Sequence, residues 1–130
     1  MHWQHTCVRK PLLGYVIEKF VGPMRGYPPA PWRIVNADKV LEGTGKKKGT
    51  WAMMEFWLNQ HEFIAGDEIS MADLFAVSEI YYAGKFGADY STYEKVTAWY
   101  NKVFNMEEVK STFAFVEDMF AKKAAESATS

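Results

Sequence analysis

Cysteine is almost missing from this sequence, since Cys7 is the only one among 130 residues. An intrachain disulfide is therefore excluded, and this composition fits a reducing compartment. No apolar run approaches the ~20 residues that a membrane-spanning helix needs. The segment from Met1 to Cys7 has neither the basic start nor the apolar stretch of a secretion signal. We therefore expect a cytoplasmic protein that has no membrane as a partner.

An excess of one charge is missing too. The chain carries 15 basic and 16 acidic residues, which leaves a formal net charge of −1. Nucleic acid is therefore not an expected partner, because phosphate backbones are bound by a clear surplus of Lys and Arg.

Strand patterns and internal repeats are absent as well, whereas apolar residues recur at spacings of three and four, which is typical of helices. Hydrophobic residues make up 48% and charged residues 24% of the chain, as in an ordinary globular domain. The 5 Trp, 7 Tyr and 9 Phe must dominate a core or line a pocket. We predict an all-α fold, in which residues 1–125 form one helical domain and residues 126–130 a flexible tail.

The residue pattern does not indicate a set of catalytic residues. A metal site needs three or four converging ligands, and His2, His5, His61 and Cys7 do not supply them, so we predict no metal. The neighbouring basic residues could make Cys7 a reactive thiol. A structurally inert thiol is the simpler interpretation.

Two further features leave alternatives open. Glu79 follows an apolar run, where partial burial would raise its pKa and suit it to acid–base catalysis. The alternative is a structural carboxylate whose hydrogen bonds are satisfied. The segment from Thr44 to Thr50 (TGKKKGT) has the glycines and lysines of a phosphate loop, but not the glycine spacing or the preceding buried strand. A solvated basic patch is the better interpretation.

The most strongly specified stretch is a capping box at Ser70 and Asp73. Their spacing lets each side chain accept a hydrogen bond from the other residue's backbone N–H at the start of a helix. Ile69 and Leu74 are placed as a hydrophobic staple. The apolar helix that follows, ending near Gly84 and Gly87, is predicted to be the centre of about five helices. We expect Asp73→Ala to cost about 1 kcal/mol or somewhat more through the lost cap.

The other helices follow from the same periodicity. A first helix is predicted from Trp3 to Val21, either kinked at Pro11 or properly beginning near it. A second is predicted from Pro31 to Gln60, and we interpret it as continuous through the glycines at 43–49 despite their cost of roughly 1 kcal/mol each.

Towards the C-terminus, Ser91 to Glu94 offers a second capping box. A break near Asn105–Glu107 then precedes a last amphipathic helix. The polar segment that begins at Ala121 is expected to fray.

Three segments resemble the C-terminal domain of glutathione S-transferases. The segment from Phe63 to Leu74 (FIAGDEISMADL) is similar to the stretch that opens the central helix of that domain. The segment from Trp3 to Arg9 (WQHTCVR) looks like the start of the first helix of this domain in the theta class. The segment from Tyr93 to Trp99 (YEKVTAW) resembles another helix start of the family, with Glu94 where proline is usual.

The resemblance implies roles for particular residues. Arg9 would interact with an anionic or electrophilic substrate, and Thr6 would approach glutathione, in some members across a dimer interface. Leu13, Ile17 and Tyr82 would line a hydrophobic substrate pocket. Ser70 and Asp73 would be structural, and no catalytic residue is implied in this half.

The family binds and activates glutathione through an N-terminal thioredoxin-like domain, whereas Met1 lies inside the first C-terminal helix. We therefore expect half of a site, with glutathione and an electrophilic small molecule as substrates of the complete enzyme. A thioredoxin-like domain and a second copy are the expected protein partners. The alternative is a non-catalytic interaction or scaffold module of the same fold, and a small-molecule carrier is a third possibility.

Overall fold

The computed structural model describes residues 8–26, 38–44 and 47–129. Their fold is all-α, as predicted. The elements in chain order are α1 (Lys10–Val16), a π-helical segment (Ile17–Val21), α2 (Gly22–Met24), β1 (Gly43–Thr44), β2 (Lys47–Lys48), α3 (Thr50–Leu58), α4 (Met71–Lys85), α5 (Glu94–Phe104) and α6 (Glu107–Thr129). Residues 38–42 are also helical.

Helix α4 is the centre of the core, and the predicted capping box at its start is confirmed. Its buried residues contact the other helices on several sides, and they are Ala72, Asp73, Ala76, Val77, Ile80, Tyr81 and Ala83. The helix ends at Lys85 with Phe86 as its C-cap, between the two glycines that were predicted to end it. Gly87 follows the C-cap. That glycine has a φ of +98°, and the Ala88 N–H donates to the Ala83 carbonyl at 3.0 Å. This is a Schellman ending, which requires the left-handed conformation that glycine adopts most easily.

Asp73 does more than cap the helix. Its side chain is fully buried, and Oδ2 accepts the Ser70 N–H at 2.9 Å. Oδ1 accepts the Ile64 N–H and the Trp99 Nε1–H, each at 2.9 Å. The Ser70 hydroxyl accepts the Ala72 N–H at 3.3 Å and donates to Asp73 Oδ2 at 3.2 Å. One carboxylate therefore joins the 59–66 turn, the start of α4 and the middle of α5.

Helix α1 lies along α4 and runs in the same direction. Val8, Leu12 and Tyr15 are buried, and the Tyr15 hydroxyl donates to the Phe86 carbonyl at 3.3 Å. Pro11 stands in the first turn of α1, a position where proline is tolerated. Val8 and Arg9, which precede this turn, are already helical. Both alternatives, a kink at Pro11 and a start near it, therefore stay predictions, because residues 3–7 lie outside the described residues.

The continuous second helix was wrong. The chain leaves the helix after residue 42 and pairs β1 with β2 antiparallel, with Gly43 opposite Lys48 and Thr44 opposite Lys47. A new helix, α3, starts at Thr50. Gly49 explains the break, because a Cβ there would lie 2.3 Å from the Leu41 carbonyl oxygen and from the Gly43 nitrogen. The glycines thus permit a backbone approach that a helix would not contain. The predicted beginning of this helix at 31–37 lies outside the described residues.

The second capping box was also wrong. Tyr93 is the N-cap residue of α5, and no side chain of its own segment caps the helix. The carboxylate of Glu55 on α3 takes that place, accepting the Lys95 N–H at 3.0 Å and the Val96 N–H at 2.9 Å. A residue distant in sequence satisfies the donors that a local cap would otherwise satisfy.

The last helix follows the predicted break, and only part of its apolar set is buried. Val109 and Phe113 are buried, whereas Met119 is exposed. The segment from Ala121 is helical as far as Thr129 and exposed throughout. The fraying predicted for it stays a prediction.

Among the helices of the described residues, none has both the length and the apolar character needed to cross a membrane.

We expect Asp73→Ala to lower the free energy of unfolding by about 3–5 kcal/mol, more than the loss of a cap alone. The reason is that the Ile64 N–H and the Trp99 indole N–H would be left buried without an acceptor, each at a cost of roughly 1–3 kcal/mol. Ser70→Ala, which removes only the hydroxyl, should cost about 1 kcal/mol. Urea unfolding followed by far-UV circular dichroism measures both. Equal effects of the two substitutions would contradict the network.

Glu55→Gln is expected to lower the free energy of unfolding by about 1–2 kcal/mol, because a neutral amide offers one acceptor oxygen for two helix N–H groups. Glu94→Gln is the matched control, since Glu94 lies in the first turn of the same helix and is exposed. The same unfolding experiment should show a loss of no more than about 0.5 kcal/mol for the control. Amide exchange at Lys95 and Val96 should accelerate only in Glu55→Gln.

Candidate functional site

An ion pair joins the start of α1 to the middle of α4. Arg9 Nε lies 3.2 Å from Glu79 Oε1, and the side chains are 48% and 16% exposed. Arg9 immediately precedes α1, and Glu79 faces it because the two helices pack side by side. The pair therefore combines a largely withdrawn carboxyl with a guanidinium that is half open to solvent.

Burial dominates the acid–base behaviour of Glu79. It raises the pKa of the carboxyl from 4.5 to about 7, while the positive charge of Arg9 acts in the opposite direction. Glu79 is thus partly buried with a raised pKa, as expected, but its use in acid–base catalysis stays a prediction, and the ion pair with Arg9 also fits the alternative of a structural carboxylate. The protonated and ionised forms are thus both populated near neutral pH, so the charge balance at Arg9 depends on pH.

Two apolar side chains continue the surface beyond Arg9. Leu13 and Ile17 follow it at successive intervals of four residues and are 47% and 44% exposed. Residues four apart are neighbours on a helix surface. We call Arg9, Leu13, Ile17 and Glu79 the Arg9 face. On this face, exposed apolar surface lies beside the Arg9 guanidinium, which is paired with a partly buried carboxyl.

Tyr82 was predicted to belong to the same pocket. It follows Glu79 by three residues and so lies on the same side of α4. Its ring, however, packs towards α6, edge-on to Phe113 with ring centroids 6.3 Å apart, and it meets the Tyr81 ring at 5.3 Å. The ring contacts of Tyr82 therefore lie towards α6, and its place in the substrate pocket stays a prediction.

The remaining candidates are four residues near the N-terminus and His61. Thr6, predicted to approach glutathione, lies outside the described residues, as do Cys7, His2 and His5. His61 packs on Trp57 with ring centroids 4.4 Å apart, and its Nδ1 is 3.6 Å from Asp67 Oδ1. Across residues 8–26, 38–44 and 47–129, no group of three or more His, Cys, Asp or Glu side chains is arranged to hold a metal ion.

Sequence reasoning missed the partnership between Arg9 and Glu79, although it singled out both residues. The two residues are seventy positions apart, and no periodic pattern in the sequence predicts a contact over that distance. It also missed the indole hydrogen bond from Trp99 to Asp73. A signal for that contact existed, because both residues fall in segments that carry the family resemblance.

Comparison with known protein families identifies the family of this chain. The family described as "Glutathione S-transferase, C-terminal domain" matches residues 8–107. The chain belongs to this family. Among curated proteins, this glutathione S-transferase domain is similar to glutathione S-transferase T1 of Arabidopsis thaliana, with 30% identity over 82 residues. The match covers 62% of the chain and 31% of that relative. No solved structure gave a significant match.

These findings confirm the predicted family. The theta class itself stays a prediction, which the partial similarity to a T1 transferase favours. Within this glutathione S-transferase C-terminal domain, the matched region contains both residues of the Arg9–Glu79 pair and both residues of the capping box. The roles predicted for Arg9, Leu13, Ile17 and Tyr82 in substrate binding stay predictions.

The raised pKa of Glu79 makes stability depend on pH. Because the folded state favours the protonated form, the contribution of Glu79 is complete below its ordinary pKa of 4.5 and is lost as the pH rises through about 7. We expect Glu79→Gln to remove this loss, which should be on the order of 1–3 kcal/mol between pH 5 and pH 8.

Carbon-13 NMR of the side-chain carboxyls measures the Glu79 titration directly. Arg9→Met should raise the pKa of Glu79 further, since it removes the attraction that lowers it. A Glu79 that titrates at its ordinary value, or is insensitive to Arg9→Met, would contradict the electrostatic account.

Proposed function

We propose that this domain is the hydrophobic-substrate-binding half of a theta-like glutathione S-transferase, which works with a thioredoxin-like domain that binds glutathione. The observation that supports this most directly is the Arg9 face, in a chain that belongs to the family. Leu13 and Ile17 are exposed beside the guanidinium of Arg9, which is paired with Glu79. Large apolar side chains left exposed next to one another commonly mark a binding site or an interface.

The chemistry of the Arg9 face suits an electrophile with a polar or anionic leaving group. Leu13 and Ile17 would contact the apolar body of the substrate, because burying apolar surface favours its transfer from water. The ion pair uses the Nε of Arg9, so the half-exposed guanidinium can contact a second, negative group. Glu79 would orient Arg9 rather than touch the reacting atoms.

In the complete enzyme the glutathione thiolate would attack the electrophilic carbon. The sulfur–carbon bond forms while the bond to the leaving group breaks, and the leaving group departs with the electron pair. The thioredoxin-like domain would bind glutathione and stabilise its thiolate. This domain would bind and orient the electrophile, and Arg9 would stabilise negative charge that develops on the leaving group.

Further parts of the proposal concern assembly and location. Thr6 would approach glutathione, and the domain would contribute contacts to a homodimer. A cytoplasmic location fits the single cysteine. Conjugation of electrophiles there would serve detoxification. Light scattering of the purified chain would measure the dimer.

The test compares three preparations: the chain alone, a theta-class thioredoxin-like domain alone, and the two joined. We expect glutathione conjugation to an aryl or alkyl halide only from the joined protein. Replacing Arg9 by Met in it should lower kcat/KM by roughly 10–100-fold, the value of a charge-assisted hydrogen bond. Leu13→Asp should lower kcat/KM by about tenfold or more, because it sets a charge against an apolar substrate.

Phe115→Asp is the matched control for Leu13→Asp, since Phe115 is 76% exposed on α6 and outside the Arg9 face. It should leave kcat/KM unchanged. Turnover by the chain alone would show that the chemistry has been assigned to the wrong domain. Docking of the thioredoxin-like domain without any turnover would favour the scaffold alternative.

A further inference from the structure

A second site lies on another side of the central helix. A cavity of about 480 Å³ opens between the C-terminal end of α4, the 88–91 loop, α5 and α6. Its volume lies within the ~300–1,000 Å³ typical of small-molecule sites. Neither Tyr82 nor any residue of the Arg9 face lines it, so the inference does not depend on the proposed function.

The walls of the cavity are flat aromatic surfaces. The Phe104 ring stacks on Tyr81 at 5.7 Å and 9°, and on Tyr100 at 5.4 Å and 11°. Tyr90 extends the surface, with its ring centroid 5.5 Å from that of Tyr100. Phe104, Tyr81 and Tyr100 cover part of one another's faces in this offset stack, and they leave the remaining face area and their edges to a flat ligand.

The hydroxyls of the three tyrosines remain neutral. Burial is the main cause that raises the pKa of Tyr81, Tyr90 and Tyr100. The Tyr81 hydroxyl donates to Glu117 Oε1 at 2.6 Å. The cavity therefore contains neutral phenols, whose ring faces carry the negative part of the aromatic quadrupole.

The charged groups at the cavity are two carboxylates and one ammonium. Lys85 Nζ lies 3.0 Å from Glu117 Oε1 and 5.3 Å from the centroid of the Tyr81 ring. Hydrogen bonding by Tyr81 lowers the pKa of Glu117, and the Ser91 hydrogen bonds lower the pKa of Asp89, so both remain ionised. The positive charge of Lys85 neutralises that of Glu117. Among the residues that line the cavity, no second cation pairs with the negative charge of Asp89.

We propose that this cavity binds a flat aromatic cation, stacked on the tyrosine and phenylalanine rings with its positive charge towards Asp89. Aromatic faces attract cations, and the attraction grows where water is partly excluded. An anionic ligand of the same shape would meet Asp89 and the ring faces with the wrong sign. The ring walls supply shape, and the unbalanced carboxylate supplies the selectivity for charge.

A substitution at Gly84 can test whether the cavity binds a ligand. It lines the cavity within α4, and a Cβ built on it meets no atom within 4 Å. Leucine there would occupy the cavity without displacing the backbone, and it would replace glycine in a helix, where glycine is unfavourable. Gly84→Leu should therefore keep or raise the thermal midpoint while it blocks the ligand.

Gly14→Leu is the matched control. Gly14 also lies in a helix and has no atom within 4 Å of a built Cβ, but it does not line the cavity. Asp89→Asn tests the charge, because the asparagine oxygen can still accept the Ser91 N–H that Asp89 Oδ1 accepts at 2.9 Å. Asp89→Asn should weaken binding of the cation about fivefold, which is typical for the loss of one exposed charge.

The experiment titrates the full chain with N-methylquinolinium and, separately, with naphthalene-2-sulfonate, using calorimetry and amide NMR shifts. We expect saturable binding of the cation, with shifts at residues 84, 88 and 91, and binding of the anion weaker by about tenfold or more. Gly84→Leu should abolish binding of the cation, and Gly14→Leu should retain it. Equal binding of both probes, binding unchanged in Gly84→Leu, or no saturation up to about 1 mM would overturn the proposal.

Discussion

The buried carboxylate of Asp73 is the interaction on which the arrangement of this domain depends. Its two oxygens accept hydrogen bonds from three separate parts of the chain, namely the turn at Ile64, the helix start at Ser70 and the indole of Trp99. A charge at this depth is tolerated because donors surround it. Once these donors are in place, the start of α4 is fixed against α5, and the core residues of α4 take their positions from that start. The Arg9 face follows, because Glu79 occupies a set turn of the same helix.

Sequence alone could predict what depends on short spacings. The capping box needs only Ser70 and Asp73 three positions apart, and the apolar repeat is enough to predict the all-α fold. Val96, Trp99 and Val103 recur at this spacing in α5, and all three are buried. The family resemblance rested on these same local motifs and is confirmed by the match over residues 8–107.

The failures share a physical cause, which is competition from distant parts of the chain. The Ser91 capping box has suitable residues, but the Glu55 carboxylate occupies the helix N-terminus instead. The helix through residues 43–49 breaks because Gly49 approaches the backbone of Leu41 and Gly43, a contact that no periodicity encodes. At the candidate site, sequence located Arg9 and Glu79 separately, and only the packing of α1 on α4 made them partners. The roles in substrate binding remain predictions.

The Glu55 contact has a consequence for how the domain folds. Helix α5 receives its N-terminal acceptor from a residue 40 positions earlier in the chain, so its first turn is not encoded where it forms. An isolated peptide of that helix would lack the acceptor, and helices of that length are marginal in water. Nucleation of α5 is therefore coupled to the docking of α3, and the loop entropy between them must be lost before the helix is complete. The two helices form one cooperative unit, and a disturbance of α3 is transmitted to the register of α5.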